Sequence, residues 1–321
     1  MTASYVIKSE LTEKQIEADV AQYLGWCSIG MPFRLLDIDE QATGADKLSN
    51  ITIPIYMQFK KSEGLKPWVG GIAKRRANED KLQSVRRFRQ LHGLADDPSA
   101  FFGLRAKAKT ALNLQHNVLL AHNRPDQSYA IYVAPLNFDK KSYSADLYVE
   151  PRLVHNPWHW RSSVMRSEML HNEWVNRYAF LPFLRSHISI APHEEVASHD
   201  HYYAFSLSGD EVSWHSPAII DGGPFRLSDF MTARTRQIIA TDENLPSPEQ
   251  ALEVCRAFLS QNELDLGIAE DGETPFDRLR AYGRWLASEF GIRQMLLCAD
   301  KKAIAEIRDR HFRRDDTVDQ T

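Results

Sequence analysis

The chain has 321 residues, 43% of them hydrophobic and 26% charged, which is the composition of an ordinary globular protein of one large or two ordinary domains. No apolar run approaches the roughly 20 residues needed to cross a bilayer, so a helical membrane protein is excluded. The net charge of −4 argues against a uniformly basic nucleic-acid binder, but the charge is unevenly spread: thirteen Lys and Arg stand against five Asp and Glu from Lys60 to Lys109, and four against sixteen from Ala191 to Glu273.

The first residues have no signal-peptide layout, and Cys27, Cys255 and Cys298 are too scattered for a disulfide framework or a zinc motif, so a reducing cytoplasm is the expected compartment. Thr12 followed by Gln15 reads as a capping box. Ile16, Val20, Tyr23 and Leu24 then make one helical stripe, with Glu17 at its edge. Residues 33–38 read as a strand, and polar residues with Gly44 break the run before Asp46. From Ile51 to Lys60, apolar and other residues alternate strictly, which predicts a half-buried strand. Gln58 and Lys60 then project together, away from the apolar face.

An acid on the preceding loop, an oxygen ligand on a strand and a lysine beside it can hold a divalent metal and charge a water. The run Asp46…Gln58-Phe59-Lys60 resembles the PD-(D/E)XK nuclease superfamily in its D…QxK variant, as in Mrr-like restriction endonucleases, over roughly the first 140 residues. The resemblance implies an α/β (α+β) fold with a mixed sheet and a core order of helix, three strands, helix, strand. A predicted helix at 102–122 and a buried strand at Tyr129–Pro135 fit that order. One further strand must then lie in the polar insertion after Lys60 or in the loop before Ile51. The implied activity is hydrolysis of DNA phosphodiesters with Mg²⁺ or Mn²⁺, in bacterial restriction or phage defence, on duplex DNA. Asp46, Gln58, the Phe59 carbonyl and Glu17 would serve the metal, Lys60 would orient the attacking water, and Gln115 would be an auxiliary contact. No Walker-type sequence is present, so a nucleotide-driven step would need a separate ATPase or sensor subunit.

The basic block follows the motif strand directly. Lys74, Arg75, Arg76, Lys81, Arg86, Arg87 and Arg89 are its candidate phosphate contacts. The expected organisation is a nuclease-like domain at 1–145 with a basic insertion at 61–100, an α+β region at 146–308 and a polar tail at 309–321. In the second part, residues 161–178 read as a helix and 188–191, 202–207 and 212–215 as strands. Ser208-Gly209-Asp210-Glu211 is a hairpin turn. Ser247-Pro248 and Thr274-Pro275 open two helices, and a last helix is expected at 302–308.

Two other functions compete. His193, His199 and His201 suggest a histidine-ligated metalloenzyme, although their spacing fits no established metal motif. Gln58, in place of the usual acid, and the acidic second half also permit a non-catalytic module that binds nucleic acid or a partner.

Overall fold

The computed structural model describes residues 5–27, 33–37, 50–68, 79–94, 97–107, 111, 113–148, 182–215, 218–221, 225–240, 245–262, 264, 267, 272 and 274–306. Asp46, Lys74, Arg75, Arg76, the helix expected at 161–178 and the tail at 309–321 lie outside these residues.

The fold is mixed α and β, built on two sheets. The first is five-stranded, in the order β2 (Phe33–Asp37), β11 (Arg293–Ala299), β3 (Ile51–Phe59), β6 (Tyr129–Pro135) and β7 (His187–Ile190). β3 and β6 run parallel, while the β2–β11, β11–β3 and β6–β7 pairs are antiparallel. The second sheet is six-stranded and antiparallel: β1 (Val6–Ile7), β4 (Glu63–Leu65), β5 (Ser99–Gly103), β8 (Tyr202–Ser206), β9 (Val212–Trp214) and β10 (Ala218–Ile220).

β3 is buried along its whole length rather than half-buried. Its alternation separates two cores, not core from water. Ile51, Ile53, Ile55, Met57 and Phe59 pack with Ile16, Val20 and Leu24 of α1 (Glu13–Cys27) and with Leu227 and Met231 of α6 (Leu227–Ala240). On the other face Tyr56 joins Phe102 of β5, Val118 of α3 (Gln115–Ala121), Cys255 and Phe258 of α7 (Pro248–Gln261), and Leu279 and Tyr282 of α8 (Pro275–Phe290). A strand covered on both faces is what parallel pairing with a helical crossover demands. Each large apolar side chain so buried contributes about 1.5–3 kcal/mol. Pro54 precedes the stretch paired with β6, which begins at Ile55. Its missing N–H therefore leaves no bond unmade on that side.

The caps expected at Ser247 and Thr274 form in full, and that at Thr12 through one of its two bonds. Thr12 Oγ1 accepts from Gln15 N at 3.2 Å, and Ser247 and Thr274 each make a complete capping box. α2 (Lys81–Leu91) covers the far side of the second sheet through Val85. α4 (Lys140–Tyr148) and α5 (Pro182–Arg185) pack beside α1 through Tyr143 and Phe183.

Two expectations are corrected. The helix read at 102–122 forms only over its last third, as the seven-residue α3, and its first two residues belong to the end of a strand, β5. Phe101 and Phe102 face different cores, and that division marks a strand. The insertion does hold a short strand, β4, but it joins the second sheet, so the strand that stands beside β2 and β3 comes from elsewhere. It is β11, from the far end of the chain. A boundary near residue 145 therefore cuts through both sheets, since β11 lies between β2 and β3 and β5 pairs with β8.

Candidate active site

Gln58 and Lys60 sit at the carboxyl end of β3, beside the carboxyl end of β6, where open α/β sheets place their ligands. Both share a face with Tyr56, so they point toward α3. Each is 4% exposed. The Lys60 N–H donates to the Val133 carbonyl at 2.9 Å, which continues the parallel ladder one residue past the strand. Its Nζ donates to Gln115 Oε1 at 3.3 Å and lies 6.0 Å from the Tyr132 ring centroid. Burial pushes the Lys60 ammonium down to about 8; Glu13 opposes that shift and Arg105 adds to it.

Gln115 opens α3 and is itself buried. Its Nε2 donates to the carbonyl of Phe290, the last residue of α8. One amide thus ties the lysine to the turn that joins α8 to β11. Gln115, expected as an auxiliary residue, is in direct contact with Lys60.

Gln58 donates through Nε2 to the Phe59 carbonyl at 3.1 Å, taking one of the two lone pairs of the backbone oxygen expected to serve a metal. Gln58 Oε1 is buried and has no hydrogen-bond partner among the described residues. A buried oxygen left unpaired costs free energy, and a bound water or a cation would each satisfy it. It is the hard oxygen donor that Mg²⁺ or Mn²⁺ takes, and Mg²⁺ retains most of its waters and needs few protein ligands. Of the residues expected to serve the ion, Gln58 Oε1 and the Phe59 carbonyl offer oxygen there, and no cluster of three His, Cys, Asp or Glu that could hold a metal occurs among the described residues.

Glu17 does not join Gln58 and Lys60. Its Oε1 is paired with Arg293 Nη1 at 2.9 Å. Arg293 lies opposite Met57, so the ion pair stands on the sheet face away from Gln58. The α1 acid that acts electrostatically on Lys60 is Glu13, one turn earlier. Sequence reasoning passed over Glu13 because an acid in a first turn is ordinary capping chemistry.

The described part of the basic block is largely committed within the protein. Lys81 pairs with Asp200 at 2.7 Å and Arg87 with Glu79 at 2.8 Å. Arg86 donates to the Lys66 and Pro67 carbonyls at 2.7 and 2.5 Å, and stacks on Tyr5 and Trp68. Arg89 must be removed from the phosphate contacts altogether. It is fully buried, and its Nη1 donates to Ala204 O, Glu211 O and Ser213 Oγ at 3.0, 3.3 and 3.1 Å, pinning α2 to the second sheet.

The histidines do not assemble. His199 and His201 precede β8 rather than lying on it. His201 stacks on Trp214 at 5.1 Å and its Nδ1 bonds the His215 carbonyl at 2.9 Å, while His199 is exposed. His193 stands beside Trp214, and its backbone N–H bonds the Tyr203 hydroxyl at 3.0 Å.

Among the described residues no helix is long and apolar enough to cross a membrane. Comparison of the chain with family models, curated proteins and solved structures finds no match.

Proposed function

We propose that the chain is a metal-dependent nuclease that hydrolyses DNA phosphodiester bonds at the carboxyl end of β3. The observation that carries this reading is the buried, unpartnered Oε1 of Gln58 two residues from a buried lysine that is held in place by Gln115. Gln58, with Asp46, would hold Mg²⁺ or Mn²⁺, which would supply a water of lowered pKa and a polarised phosphoryl oxygen. Lys60 orients the attacking water and offsets the charge that grows on the phosphate oxygens. Gln115 fixes the lysine's direction, and Glu13 balances its charge.

Supercoiled plasmid in Mg²⁺ or Mn²⁺ tests this. Wild-type protein is expected to nick it and to stop when EDTA is added, and Asp46→Ala is expected to lose the activity while keeping its fold. No nicking across both metals, on duplex and on single strands, refutes the reading.

A second reading, a non-catalytic module that binds nucleic acid, is favoured by one observation: Gln58 and Lys60 are closed off from solvent, each 4% exposed. Binding of the same DNA in EDTA, with no cleavage in any metal, is its signature.

A further inference from the structure

Arg105 differs from the other described cations of the basic block. Lys60 is tied to Gln115, Lys61 to Glu63, Lys81 to Asp200 and Arg87 to Glu79, Arg86 and Arg89 hold backbone carbonyls, and Lys66 and Lys107 also have partners. Arg105 is exposed and makes no ion pair among the described residues.

Its root is nonetheless rigid. Leu104, the residue before it, is buried at 8% exposure, and the Leu104 N–H donates to the His201 carbonyl at 3.0 Å. Its head is placed by a glycine. Gly291 closes α8 with φ +63°, and a Cβ built there would stand 3.2 Å from Arg105 Nη1 and 3.6 Å from Gln115 Nε2. Gln115 is the residue whose Oε1 receives the Lys60 ammonium. One turn of backbone therefore gathers the guanidinium, the bridging amide and, through it, the lysine.

We propose that Arg105 grips a substrate phosphate at the mouth of the Lys60 site, an inference that rests on the phosphodiesterase reading above. The division of labour follows from chemistry. Lys60 is buried and already bonded to Gln115. A guanidinium presents a planar fork that takes two phosphate oxygens at once. Arg105 holds a nucleic-acid phosphate while Lys60 acts on the water beside it.

The test is binding of a fluorescent duplex of about 20 base pairs in EDTA between 50 and 200 mM KCl, alongside cleavage in Mg²⁺, for wild type, Arg105→Gln and Arg105→Lys. The salt range spans the regime where each phosphate contact contributes a slope of about 0.9 in log K against log salt. Arg105→Gln is expected to bind several-fold more weakly at 50 mM and to lose about one contact's worth of slope. Arg105→Lys keeps the charge and so the slope, but loses the fork, and its KM rises with little change in kcat.

Wild-type cleavage together with an Arg105→Gln variant of unchanged affinity and slope overturns the phosphate contact and leaves the nuclease reading standing. Wild-type binding without cleavage overturns the nuclease reading, while the slope comparison still decides Arg105. Wild-type protein that neither binds nor cuts overturns both.

Discussion

Lys60 and Arg89 are both cations removed from water, but for opposite reasons. Arg89 is paired to three acceptors, one on β8, one on β9 and one just before β9, and serves only the fold. Replacing it with alanine strands those acceptors and opens a void, so Arg89→Ala should lose about 3–5 kcal/mol in urea unfolding. Lys60 has one weak bond at 3.3 Å, and burial costs its charge rather than rewarding it. Lys60→Met, of similar shape, removes a buried charge but leaves Gln115 Oε1 without its bond; the two effects oppose each other, so wild-type stability should be kept to within about 2 kcal/mol. Titratable groups shifted by burial cluster at functional sites, which makes Lys60 the residue to test. The motif residues Gln58 and Lys60 could be read from the sequence because strand alternation puts them side by side. Glu13, Arg105 and the Glu17–Arg293 pair could not, because long side chains choose partners by tertiary geometry. Arg293 is 276 residues from Glu17.

Helices declared themselves through their ends. Ser247-Pro248 and Thr274-Pro275 carry both the cap and the pre-set φ of the first helical residue, and both capping boxes form. Ser247→Ala and Thr274→Ala should each cost about 1 kcal/mol, and the double variant about the sum, as measured by denaturant midpoints. β11 went unread. Its run Met295-Leu-Leu-Cys-Ala299 is continuously apolar, and such a run has no period by which to tell a buried strand from a helix. Length and Gly291 before it were the available signals. The cost of missing it was topological, because β11 is the strand that stands between β2 and β3. A proline at Leu297, where β11 pairs on both sides, should abolish folding rather than weaken it. A soluble, cooperatively folded Leu297→Pro variant would contradict this topology.

The whole molecule is stitched from both ends of the chain, so its stability should be shared. A fragment of residues 1–145 lacks β11 and β8 and is expected not to fold alone; native-like dispersion in its NMR spectrum would contradict that. Acid sensitivity is the second shared property. His116, His122 and His187 lie in the interior, and burial pushes each down to about 4 from an ordinary 6.5. Below pH 6.5 the unfolded chain takes up protons on these rings while the folded chain does not. Their contribution to stability is therefore full above pH 6.5, falls as pH drops from 6.5 toward 4, and levels off below 4. Each ring accounts for up to about 3 kcal/mol of that fall. Urea unfolding free energies at pH 7.5 and pH 5 should differ by several kcal/mol, and His122→Phe should narrow the gap.

The reading of this protein turns on Lys60. Its most direct test is the single-turnover rate of plasmid nicking in Mg²⁺ by Lys60→Met against wild type, with both first shown by urea unfolding to be folded in the assay buffer. Loss of at least about 100-fold, the usual worth of one group that stabilises transition-state charge, is the predicted result. Nicking by the variant at the wild-type rate would remove Lys60 from the chemistry and, with it, the site at the end of β3.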